Sequence, residues 1–118
     1  VVKRAYRTYR ERGYAATLMV AALRGTYHMT GLAGGGLVMS IHPAWQKALL
    51  EPGVERAPRI DEPVPDAVIA RLARVPEFRR AYEPAGLAED EMLSYGVTQR
   101  TVSQFIESGW KLLEQFRP

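Results

Sequence analysis

Arg24 is the only charged residue between Gly13 and Lys47. It follows the uncharged run Ala15-Ala16-Thr17-Leu18-Met19-Val20-Ala21-Ala22-Leu23 and precedes Gly25-Thr26. Such a run suits a buried strand, and Thr26 suits the N-cap of a following helix. Ligands of parallel α/β folds bind at that C-terminal edge of the strands. In eight-stranded barrels the loops after the last two strands often hold a phosphate. A guanidinium there presents planar, bidentate donors that match a phosphate. Gly25 allows close backbone approach, and the Thr26 hydroxyl adds a donor. The competing reading is a structural arginine paired with an acid from another strand.

Other chemistry-bearing residues are fewer. Ser40 and His42 lie at the end of a second apolar run, Leu37-Val38-Met39-Ser40-Ile41. That is the same kind of edge. A serine–histidine nucleophile pair would need a glycine elbow and an orienting acid, and neither is evident. His28 and His42 have no acid at ligand spacing, so no metal is expected. Gly34-Gly35-Gly36 precedes a strand, whereas phosphate-cradling glycines follow one, so it reads as a helix stop. The only lysines are Lys3, Lys47 and Lys111. All three fall in helical patterns, away from the desolvated strand position that a Schiff-base lysine uses. No cofactor is expected.

Several elements must position these residues. Val2, Ala5, Tyr6 and Tyr9 recur at helical spacing over residues 2–12, and Gly13 supplies the C-cap. Strands are expected over 15–23 and 37–41. A short helix runs from Thr26 through Ala33, and another opens at Pro43 and ends near Leu50. Helix, strand, helix, strand, helix with short connections implies parallel strands with helices outside. Two parallel strands cannot make a sheet buried on both faces. The pattern therefore reads as the end of a longer α/β run. Residues 51–66 hold Pro52, Pro58, Pro63 and Pro65 and form a surface connector. Residues 67–118 are helical in pattern, and the stripe Val97, Val102, Phe105, Ile106, Trp110, Leu113, Phe116 reads as core or docking surface.

The 118 residues hold 16 Lys+Arg, 13 Asp+Glu and no cysteine. Disulfide scaffolds, zinc ribbons and cysteine nucleophiles are excluded. The longest uncharged stretch, Gly25 to Gln46, contains two histidines, Pro43 and five glycines, so no membrane span is expected. Residues 1–13 carry a net charge of +4, and residues 51–66 reverse the sign. A basic first helix could bind nucleic acid, but a solvated helix face explains it without a partner.

Taken in order, these segments resemble the C-terminal part of transaldolase. Ala5-Tyr6-Arg7-Thr8-Tyr9-Arg10-Glu11-Arg12-Gly13-Tyr14 is similar to the family's I-Y-x-Y-Y-K-x-x-G-Y helix. Met19 with Ala21-Ala22-Leu23-Arg24 resembles M-x-A-S-F-R. Leu32-Ala33-Gly34 matches L-A-G, and Leu37 to Pro43 takes the place of L-T-I-x-P. Phe78-Arg79 resembles F-R-W, and Leu87-Ala88 with Met92-Leu93 resembles M-A-x-x-K-L. The departures are Ala22 for serine, Leu23 for the aromatic, Gly25 for asparagine and an extra residue in the second strand. They mark a divergent subfamily.

The resemblance implies an α/β chain that closes a (β/α)8 barrel. Residues 1–50 would be the last two strand–helix units, 51–66 the connector and 67–118 the C-terminal helices. It implies transfer of a dihydroxyacetone unit between sugar phosphates through a lysine Schiff base, in cytoplasmic carbohydrate metabolism of the pentose phosphate type. The lysine would lie on a preceding barrel segment, which becomes the chain's expected partner. The family's phosphate arginine carries over to Arg24, flanked by Gly25 and Thr26. Ser40 and His42 are candidate subfamily site residues. The alternative is a non-catalytic helical module that self-associates into a homo-oligomer. Neither a membrane nor a nucleic acid is an expected partner.

Overall fold

A computed structural model of the chain describes residues 1–116. The chain divides into two compact units, Val1–Ile69 and Ala70–Pro118. It is an α/β protein, mostly helical, with one pair of parallel strands.

In the first unit, α1 spans Val2–Glu11. Gly13 takes φ +63°, its N–H donates to the Arg10 carbonyl, and the Tyr14 N–H donates to the Tyr9 carbonyl. This pair of bonds is the Schellman stop that a glycine at this position permits. Strand β1 is Met19–Val20 and β2 is Val38–Met39, paired in parallel with Met19 opposite Val38 and Val20 opposite Met39. Between them lies α2, Thr26–Thr30, and after them α3, Pro43–Leu49. The core is Val20, Leu23, Met29, Leu32 and Ile60, flanked by half-buried Val2, Tyr6, Trp45 and Leu49.

The strands are shorter and more open than the apolar runs predict. Only two residues of each run pair, and Ala15, Ala16 and Thr17 are exposed. Among the described residues each strand has one neighbour, so the outer edge of both strands has nothing to pair with. Met19 is 65% exposed and Val38 47%. The expectation of fully buried strands is therefore corrected. Helix α2 also stops at Thr30 rather than Ala33, and a turn leads on to Gly34. Thr26 is its first helical residue, and Gly25, not Thr26, is the N-cap, with no side-chain capping bond.

The connector folds back on this unit. The Ala33 carbonyl accepts from the Arg59 and Ile60 N–H groups at 2.9 and 3.0 Å. Gly34, at φ +87°, lies directly beneath Pro58. Lys3 Nζ donates to the carbonyls of Arg59 and Glu62, and Arg10 pairs with Asp61 at 3.2 Å. The acidic connector thus meets the basic helix. Arg59 also bonds Glu62 and Glu55, and the bond to Glu62 comes first in raising its pKa above the ordinary arginine value.

The helix α4, Asp66–Leu72, spans the division between the units. Its run ends before Val75 because Pro76 forces an extended conformation on the residue ahead of it, where φ is −87° and ψ 114°. In the second unit, α5 is Pro76–Tyr82. The connection after it folds onto this helix: the buried Tyr95 donates its hydroxyl to the Glu77 carbonyl at 2.8 Å, and Arg80 pairs with Glu91 at 3.0 Å. Helix α6, Gly96–Phe105, runs through a π turn, Ile106–Trp110, into α7, Lys111–Glu114. Among the described residues no helix is long and apolar enough to cross a membrane.

Candidate functional site

Parallel pairing puts the segments that follow β1 and β2 at one edge of the sheet. After β1 the chain passes through Ala21 and Ala22, buries Leu23, and exposes Arg24 before α2 begins. Ala22 has φ +57°, a left-handed conformation that costs a non-glycine residue about 1–2 kcal/mol. This residue lies between the strand and the arginine. The Arg24 N–H donates to His28 Nδ1 at 3.0 Å, and the His28 N–H donates to the Gly25 carbonyl at 3.0 Å. Since Nδ1 accepts, a neutral His28 carries its proton on Nε2.

The guanidinium of Arg24 makes no ion pair among the described residues. The structural alternative, an acid from a second strand, has no counterpart in this unit. Gly25 is buried, and its φ of 177° is ordinary extended backbone. The space a Cβ would take there is filled by the Tyr27 ring, whose Cδ1 would stand 2.9 Å away. A side chain at this position would have to displace the Tyr27 ring, which is 68% exposed and also covers the backbone approach expected for a ligand.

Ser40 and His42 reach the same edge with other duties. The Ser40 N–H donates to the Val20 carbonyl at 2.8 Å and extends the ladder by one bond. His42 is the N-cap of α3, its Nδ1 accepting from the Ala44 N–H at 3.3 Å, with Pro43 in the first turn. No hydrogen bond among the described residues links Arg24 to Ser40 or His42. The edge thus gathers Arg24, Ser40 and His42 without joining them into a catalytic constellation.

A cavity of about 390 Å³ adjoins the loop, lined by Lys3, Val20, Ala22, Leu23, His28 and Val64 among others. Lys3 and Val64 come from segments that sequence spacing does not connect to β1. The signal that could have found them is the sign reversal between residues 1–13 and 51–66, which the fold turns into contact. Among the described residues no three His, Asp or Glu side chains gather as a metal site would require. Comparison with protein-family models, with curated proteins and with solved structures gives no match for this chain.

Proposed function

We propose that this chain is the closing segment of a divergent transaldolase-like (β/α)8 barrel, in which Arg24 binds the phosphate of a sugar phosphate. The observation that carries the reading is the parallel β1–β2 pair, with an exposed and unpaired arginine on the loop at its C-terminal edge. Bidentate hydrogen bonds and charge supply the affinity. The Schiff-base lysine belongs to the preceding barrel strands, and Lys3 is engaged with the connector carbonyls.

The amount of open surface supports a missing complement. The chain exposes 9524 Å². Two separately compact units of these sizes would expose roughly 7,700 Å² together. No side chain among the described residues is less than 2% exposed. Strand neighbours supplied by the rest of a barrel would cover Met19 and Val38. A helical self-association module is the second reading, favoured by the exposed apolar side chains of the C-terminal helix.

The test is titration of the 118-residue chain with fructose 6-phosphate, followed by phosphorus NMR, for the parent chain and Arg24→Ala. Saturable binding weakened about tenfold or more by the substitution is expected, as for loss of a charge-assisted bidentate pair. Equal titration curves for the two proteins refute the phosphate assignment. The chain alone is expected to show no transaldolase turnover. Turnover with borohydride trapping on Lys3, Lys47 or Lys111 would refute the division of labour.

A further inference from the structure

From Gly96 to Glu114 the backbone is one unbroken helix with a five-residue π turn inside it. Val102, Phe105, Trp110, Leu113 and Phe116 are separated by three, five, three and three residues. In a plain α-helix the step of five would carry Trp110 away from Phe105. The π turn closes on i and i+5 and returns Trp110 to the same face. The result is one continuous apolar face.

That face is open. Phe105 is 75% exposed, Trp110 65% and Phe116 76%, with Val102, Ile106, Leu112 and Leu113 exposed beside them. Taking roughly 150–250 Å² for each large side chain, the exposed apolar area is on the order of 700–800 Å². A standard interface takes about 800 Å² from each partner. The charges avoid the centre of the face: Glu107 and Lys111 pair with each other at 2.7 Å, Arg100 falls on the far side by helical spacing, and Glu114, one turn after Trp110, borders the face at its end. Depletion of charge at the centre is what an interface core requires.

Gly109 adds an independent observation. A glycine inside a helix is less stable than alanine. Here φ is not positive, and a Cβ would meet nothing within 4 Å. No contact among the described residues asks for a glycine. An antiparallel copy of the helix, related by a two-fold axis near Glu107, would lay Phe105 of each chain on Gly109 of the other.

We infer that the C-terminal helix is a homodimerisation element that packs antiparallel against a second copy of this chain, with the Phe105 ring seated over Gly109. This inference is independent of the phosphate reading, because it needs no ligand and no upstream barrel segment.

Sedimentation equilibrium of the 118-residue chain, with circular dichroism and the Gly109→Ala and Phe105→Ser variants, tests it. The parent chain is expected to dimerise. Gly109→Ala should raise helicity while raising the dissociation constant about tenfold, because an added methyl overpacks the contact. Phe105→Ser should give monomer. The two effects of Gly109→Ala run in opposite directions, whereas a glycine with no partner would let alanine improve both. A parent chain that stays monomeric at 200 µM overturns the inference. So does a dimer that neither variant weakens, and so does capture of this face by the upstream segment with no self-association. A spin label at residue 100, introduced by Arg100→Cys, separates orientations. The antiparallel dimer offsets the two labels by about 21 Å along the axis, since they lie fourteen residues apart, whereas a parallel one leaves them level and separated only across the helix pair, the shorter of the two distances. The shorter distance overturns the packing.

Discussion

Replacing Gly34 by alanine tests how the connector is held to the first unit. Two costs meet at this position. The φ of +87° lies where an L side chain is strained, at about 1–2 kcal/mol. The new Cβ would also stand 2.6 Å from the Pro58 Cβ and 3.0 Å from its Cα. Relieving that overlap must move backbone, and forced overpacking of this kind costs about 1–3 kcal/mol. The expected loss is about 2–5 kcal/mol. A unit of this size has roughly 3–10 kcal/mol in total, so a large share of the stability is at stake. Two other glycines separate the terms. Gly53 has φ +85° with nothing near its Cβ position, and Gly36 has neither feature. Gly53→Ala should therefore lose about 1 kcal/mol from backbone strain alone. Gly36→Ala should be neutral, or more stable by about 0.5 kcal/mol through a less flexible unfolded chain. Urea unfolding followed by Trp45 fluorescence, in a Trp110→Phe background, reads the unit directly because Trp45 packs against its core. If Gly34→Ala loses no more than Gly53→Ala, Pro58 does not bear on Gly34 and the docking of the connector described above is wrong.

Three further outcomes follow from the same geometry. Ala22→Gly should stabilise the chain by up to about 1 kcal/mol, since glycine accepts φ +57° without strain, and a lower urea midpoint would refute this. His42→Ala should cost about 1 kcal/mol by removing the cap on the Ala44 N–H, whereas His42→Asn should retain most of it. Tyr95→Phe should cost about 1 kcal/mol in thermal unfolding by removing its bond to the Glu77 carbonyl, and an unchanged transition would place that hydroxyl in water instead.

Much of the local structure could be read before the fold was known. Gly13 sits at the end of α1 in the conformation its type suggests, Pro43 and Pro76 open helices, and the alternation of elements gives a parallel pair. These features depend on neighbours within a few residues, which a sequence displays. The burial of the strands was not legible, because it depends on what lies beside them. An apolar run looks alike whether a sheet covers it or leaves Met19 open. The π turn was also hidden: its mark is a step of five between Phe105 and Trp110, set among steps of three that match an ordinary helix. At the candidate site, the isolated charge at position 24 was visible in the sequence. The Tyr27 ring over Gly25 and the capping role of His42 were not, since both depend on side-chain placement rather than residue type. The basic helix and the acidic connector were each plain to see. Their meeting through Lys3 and Arg10 required a chain reversal across more than fifty residues.

The π turn also bears on how the sequence can drift. A five-residue turn is what one inserted residue leaves in a helix that continues on both sides. Deleting a single residue between Ile106 and Trp110 would restore the α register, and the step from Phe105 to the tryptophan would become four, which a plain helix also keeps on one face. Leu113 and Phe116 would then hold their places beside Phe105. A deletion in the plain α-helical turns on either side would instead rotate everything after it by about 100°. The π turn is thus the one stretch of this helix where the loss of a single codon leaves the apolar face intact.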